Sequence, residues 1–195
     1  MISVIIPVKY GDDPQSCIDS IRREGRVDEI ILVYNNPDVG RVKAKNLGAK
    51  IAEGDVLFFI DADSQVGKNF FKEIESKSKI SKFVGGGVKH VKLERKSLGI
   101  ICWLIPVAFY LYWKRITVGA FWVKKRIFEE IGGFRKTKYD DIDFALRLKA
   151  YAKKSGLKFE SLKESELIVS TRRFDEFGDW HWLKGGYRID NDLVG

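Results

Sequence analysis

Short apolar runs alternate with amphipathic stretches along the first third of the chain. Ser3-Val-Ile-Ile-Pro7 reads as a buried strand closed by proline. Cys17, Ile18 and Ile21 recur at helical spacing between Pro14 and Arg23. Glu29-Ile-Ile-Leu-Val-Tyr34 is a second buried run, followed by the turn signal Asn35-Asn36-Pro37-Asp38. Arg41 to Glu53 predicts a helix with Ala44, Leu47, Ile51 and Ala52 inward, stopped by Gly54. Val56 to Ile60 is a third apolar strand. Strand, helix, strand, helix, strand with runs this short predicts a parallel sheet with right-handed crossovers. Ligands of such sheets sit beyond the strands' carboxyl ends. Residues 7–12, 35–38 and 61–65 are therefore expected to meet at one rim.

That rim carries chemistry. The third strand runs straight into Asp61-Ala-Asp63. Alternation along an extended chain would point both carboxylates to one side. Two hard oxygen ligands there suit a divalent cation that neutralises a phosphate, and a solvated turn is the plainer alternative. Further on, Asp140-Asp141 opens a helix of apolar and basic residues, Ile142 to Lys153. Acids suit a helix N-terminus, which explains one of the two and does not require both. Gly85-Gly-Gly87 lacks the following helix of a dinucleotide fingerprint and reads as a bend between short strands.

Charge changes the picture by its distribution. The 195 residues carry net charge +8, yet residues 77–136 alone hold 14 Lys and Arg against 3 Asp and Glu. Within that basic segment lies an uncharged apolar stretch, Leu98 to Trp113, flanked by Arg95, Lys96, Lys114 and Arg115. It is short of the roughly 20 residues of a spanning helix, and Pro106 is expected to kink it. It shows almost no polar face, and its aromatics and basic flanks suit a bilayer interface. Peripheral membrane contact is the expectation, with a core helix or a homodimer interface as the competing uses. A nucleic-acid partner rests on net charge alone, and the apolar stretch and acidic rim argue against it. Cys17 and Cys102 lie far apart and read as free thiols of a reducing compartment. With no signal peptide ahead of the first strand, a cytoplasmic location is expected, peripheral on the membrane's cytoplasmic face.

The ordered motifs resemble a family 2 glycosyltransferase of the GT-A fold. Val4-Ile-Ile-Pro-Val8 matches its start. Ala44-Lys-Asn-Leu-Gly48 with Ala52-Glu-Gly54, then Asp61-Ala-Asp63, match its donor half. Gly119-Ala-Phe, Ile131-Gly-Gly-Phe134 and Asp140-Asp-Ile-Asp-Phe-Ala-Leu-Arg147 match its acceptor half. The resemblance runs from Ile2 to about Phe174. It implies a single Rossmann-like α/β/α sandwich with a mostly parallel central sheet over residues 1–195. Residues 1–95 would bind the nucleotide sugar, 96–174 the acceptor, and 175–195 would form a lid or tail.

On individual residues, the resemblance places Pro7, Val8 and the following loop against the base. Asn35 stands where the family has an acid, which leaves uridine or guanosine open, since an amide both donates and accepts. Lys45 falls in the donor motif. Asp61 would face ribose and metal, and Asp63 would hold the Mg²⁺ or Mn²⁺ bridging the diphosphate. Gln65 is a further metal candidate by likeness to dolichyl-phosphate mannose synthases, and the late His181 another. Asp141 would be the general base with Asp140 beside it, and Asp143 structural. Arg172 and Arg173 of Ser170-Thr-Arg-Arg-Phe174 would grip the leaving diphosphate. The acceptor would be a carbohydrate hydroxyl or a polyprenyl phosphate, with inversion following from the family. A sugar-nucleotide-forming nucleotidyltransferase and a family-like domain without activity are the alternatives. The first lacks its repeated glycines in Lys9-Tyr-Gly-Asp-Asp, and only Asn35 favours the second.

Overall fold

The computed structural model describes residues 1–25, 27–35 and 40–184. The strands are β1 (Ile2–Lys9), β2 (Glu29–Asn35), β3 (Val56–Ile60), β4 (Ser64–Val66), β5 (Phe83–Leu93), β6 (Ala120–Lys124), β7 (Lys158–Phe159) and β8 (Leu162–Val169). The helices are α1 (Gln15–Glu24), α2 (Gly40–Ile51), α3 (Phe70–Ser78), α4 (Leu98–Lys114), α5 (Lys125–Glu130), α6 (Asp140–Lys154) and α7 (Arg172–Phe177). One sheet runs β2-β1-β3-β6-β5-β8-β4, with β7 on β5. β1 pairs parallel with β2 and β3, and β5 pairs parallel with β7 and β8. The β3–β6, β5–β6 and β4–β8 pairs are antiparallel, so the sheet is mixed, with parallel pairings in the majority.

Both faces of the sheet are covered, which is why the strands read as continuous apolar runs. Val4, Ile6, Val8, Phe58 and Ile60 face one core with α1 and α3. Ile5, Leu57 and Phe59 alternate to the other, with Ala44 of α2, Phe128 of α5 and Phe144 of α6. Phe134 and Phe144 stack there at 4.2 Å between centroids.

Three expectations are corrected. Ala44 of α2 and Ala52 just after it are buried as expected, but Leu47 and Ile51 are 46% and 57% exposed, and Lys45, Gly48 and Ala49 face inward in their place. The reason is close approach: a Cβ on Gly48 would lie 2.4 Å from Cγ2 of Ile5. Small residues, not bulky ones, set the packed face. The triple glycine lies inside the 11-residue β5 rather than between short strands. Three backbones crowd it, with Trp122 O 2.4 Å, Glu160 O 2.3 Å and Thr117 O 2.8 Å from where side chains of Gly85, Gly86 and Gly87 would begin. Finally, Asp61-Ala-Asp63 is a turn closed by Ser64 N–H donating to Asp61 O at 3.0 Å, not an extended strand end. Ala62 is buried and the two acids flank it outward. Of the expected turn at 35–38, residues 36–38 lie outside the described residues.

Candidate active site

The close packing of α2 on β1 delivers two cations to the carboxyl-end rim. Arg41 and Lys45 are one helical turn apart and point the same way. The Lys45 ammonium, 3% exposed, lies 2.9 Å from Asp141 Oδ1, 3.6 Å from Asp140 Oδ2 and 3.9 Å from Asp61 Oδ1. The Arg41 guanidinium is hydrogen-bonded to Asp140 Oδ1 and lies 3.6 Å from Asp61 Oδ2. Thus the acid after β3 and the acid pair at the head of α6, some 80 residues apart in sequence, share the same two cations.

Two sequence motifs lock this arrangement. The Asn46 amide donates to Phe134 O and accepts from Phe134 N–H, both at 2.9 Å. The turn before Phe134 needs Gly133, which has φ +62 and would place a Cβ 2.6 Å from Asn46 Oδ1. Arg147 closes the other side, donating to Ile131 O, Gly133 O and Asp143 Oδ2. Asp143 is therefore engaged in structure, beside the site rather than in it.

The electrostatics divide the acids. Burial works against the Lys45 ammonium, but Asp141 and Asp61 outweigh it and raise its pKa, so it stays charged. Burial likewise pushes Asp141 up, yet Lys45 and Arg41 win and hold it below the usual carboxylate range. Asp140 goes the other way: burial and the charge of Asp141 raise it, against Lys45 and Arg41. Its Oδ2 is buried without a hydrogen-bond partner.

On the other side of Ala62, Asp63 meets a third cation. Arg172 donates to Asp12 Oδ1 at 2.9 Å and Oδ2 at 3.3 Å, with Asp63 Oδ2 3.9 Å away. Burial and the charge of Asp61 raise the Asp63 pKa, and Asp12 adds to this against Arg172. Burial, Asp61 and Asp63 together push the Cys17 thiol up to about 12. The rim is thus under-neutralised. Arg41 and Lys45 face three carboxylates, and Arg172 faces Asp12, Asp63 and, on its own helix, Glu176.

Whether these residues fit such a cation can be judged from their chemistry. Among the described residues no three His, Cys, Asp or Glu side chains form a metal-holding group. Mg²⁺ and Mn²⁺ are commonly held by one or two carboxylates and completed by substrate phosphates and water. The hard oxygens of Asp61 and Asp63, on an acid-rich rim, fit that mode.

The other expected site residues fall as follows. Pro7 and Val8 are buried near the end of β1, with Val8 in the core, so their side chains are not offered to a ligand. Asn35 ends β2; its carbonyl accepts from Tyr10 N–H at 3.3 Å and its Oδ1 is buried without a partner. Gln65 is half-buried in β4 opposite Ile168. His181 is not drawn to the acids: Nδ1 lies 2.7 Å from Gly178 O and the ring packs on Phe174 and Phe177. Arg173 neighbours Arg172 at the start of α7, exposed. Sequence reasoning missed Arg41 and Asp12 as site residues. Their partners lie 99 and 160 positions away, and only the pairing of Arg41 with Lys45 on one helix face hinted at the first. A cavity of about 670 Å³ opens at the opposite rim beside Asp28 and Glu75. Those acids are committed, to Ile2 N–H and to Lys79.

Residues 12–97 match the profile of glycosyl transferase family 2. No curated protein matches the chain in sequence. Two crystal structures of S. aureus TarS share the GT-A fold. For TarS 1–349 in complex with UDP-GlcNAc the TM-score is 0.65 at 13% identity, over 88% of this chain and 58% of that one. For the longer TarS structure it is 0.61 at 12% identity, over 91% of this chain and 38% of that one. The chain thus spans little more than half of one neighbour and less than half of the other. Residues 12–97 are thus similar to glycosyl transferase family 2, and the fold is that of the TarS structures.

Proposed function

We propose that the chain transfers a sugar from a nucleoside diphosphate to an acceptor with the help of Mg²⁺ or Mn²⁺. The observation that carries this is the shared clamp. Arg41 and Lys45 bring Asp61 of the donor motif within ion-pair reach of the same cations as Asp140 and Asp141 of the acceptor motif. The chain works as one domain, with residues 1–95 on the donor side and 96–174 on the acceptor side.

The cation, when bound by Asp61 and Asp63, supplies charge stabilisation for the departing diphosphate. The chain's own residues do the rest. Asn35 offers an unpaired buried amide oxygen that can accept from an imide N–H of the base. The UDP-GlcNAc held by the TarS neighbour supports placing UDP-sugars first. Arg172 and Arg173 contribute positive charge beside the leaving group. Asp141, kept ionised by Lys45, takes the proton of an acceptor hydroxyl as that oxygen attacks the sugar, with inversion. A polyprenyl phosphate is the alternative acceptor, and it would bring the chain to a membrane surface through residues 98–113.

A thermal-shift panel of UDP- and GDP-sugars with and without Mn²⁺ tests the reading. Stabilisation by one donor, dependent on metal, is expected. No stabilisation by any donor, with or without metal, would reject it.

A further inference from the structure

Helix α4 is apolar on both of its faces. Its inward side is accounted for: Ile100 is fully buried, Trp103 meets Phe174 edge-on at 5.6 Å, and Leu111 packs on the core. Its outward side is not. Leu98, Ile101, Ile105, Phe109 and Tyr112 follow at three- and four-residue spacing and are 43% to 83% exposed. At 1.5 Å rise per residue this stripe is about 21 Å long. Isolated exposed apolar residues are ordinary, but a contiguous stripe on one face marks an interaction surface.

Charge identifies the partner. At the C-terminal end of α4 the Lys149 ammonium donates to Lys114 O. Burial, then Arg115, Lys114 and Lys153, lowers its pKa, so four cations crowd there. No ion pair joins any of the four to a described carboxylate. Lys114 also lies over the Trp113 ring at 4.2 Å, beside exposed Tyr112. Amphipathic aromatics next to unneutralised cations suit the level of lipid headgroups. At 17 residues α4 spans about 25 Å, short of a hydrocarbon core, and no helix among the described residues is long and apolar enough to cross a membrane.

We propose that α4 lies in the plane of an anionic membrane surface, its outward stripe in the headgroup–acyl boundary and Lys114, Arg115, Lys149 and Lys153 against lipid phosphates. A second copy of the chain fits less well. Two-fold pairing of the stripe would set that cationic end against itself or against Lys96. The surface is also joined to the rim. Trp103 holds Phe174, and Arg95 donates to Asp175 within α7 and to Asp179 just beyond it, the helix whose Arg172 reaches Asp12 and Asp63.

The test is co-sedimentation of the full chain with phosphatidylcholine vesicles, with and without phosphatidylglycerol, at low and high salt. Binding to the anionic vesicles at low salt, weakened by salt, is expected. Ile105→Glu with Phe109→Glu should abolish it. Lys114→Ala and Arg115→Ala should each weaken it about fivefold, the share of one juxtamembrane cation. No vesicle binding, or equal binding by all variants, would overturn the proposal. So would a wild-type dimer by light scattering that the Ile105→Glu, Phe109→Glu variant converts to monomer. Vesicle binding needs no sugar nucleotide, so its failure leaves the donor reading standing, and the donor panel can fail without touching this result.

Discussion

The two acid clusters at the rim are neutralised in opposite ways. Asp140 and Asp141 are buried or nearly so, fixed by Arg41 and Lys45 from a helix that packs tightly on β1. Asp12 and Asp63 are more open and share one half-exposed arginine from a short helix near the end of the described chain. The first cluster is built before any ligand arrives. The second keeps negative charge in reserve, held by a side chain that binding can displace. Preorganisation suits a group that must receive a proton at a fixed place, and spare charge suits one that must receive a cation.

Removing the proposed base should have the largest effect. Asp141→Asn is expected to lower kcat about a hundred- to ten-thousand-fold while donor affinity, read by calorimetry, stays within a few-fold. Unchanged turnover would reject the assignment. Lys45→Met strips Asp141 of its nearest cation and leaves Asp140 to Arg41 alone. Loss of about 3–5 kcal/mol in denaturant unfolding is expected.

The pH dependence sharpens the same contrast. Lys45 has its pKa raised above 10.5, so its contribution is fully present below that value and is lost as pH climbs through the higher folded pKa. Asp141 is lowered from 3.8, so its contribution is present above 3.8 and lost as pH falls through the folded value. Asp141→Asn should therefore flatten the acid limb of stability, and Lys45→Met the alkaline limb; limbs identical to wild type would refute the clamp.

Asn46→Ala breaks a paired contact and leaves Phe134 backbone groups unmet, costing about 1–3 kcal/mol by the same unfolding measurement. Arg172→Ala should change stability by no more than about 1 kcal/mol, because the pairs it loses are exposed. Its effect should appear instead as a raised donor KM. A large stability loss would mean that Arg172 is a structural strut.

The same contrast explains what the sequence disclosed. The core order from β1 to β3 was legible because strands buried on both faces read as unbroken apolar runs. The acids were legible too, since Asp61, Asp63, Asp140 and Asp141 stand at element ends. The face of α2 was not. Bulk hydrophobicity favoured Leu47 and Ile51, whereas the fold demanded a glycine at position 48 against Ile5. Asp12 and Arg41 were hidden because a charge's partner is set by tertiary approach. The short β4 and the charged β8 carry too little apolar pattern to stand out, with Glu164 and Glu166 interrupting the latter.

The most direct test of the central claim is calorimetric titration of UDP-GlcNAc, and then of other donors, into wild type and Asp63→Asn with Mn²⁺ or with chelator. Metal-dependent binding in wild type that Asp63→Asn abolishes is the predicted result. A donor that binds equally well under chelator, or equally well to the variant, would contradict it.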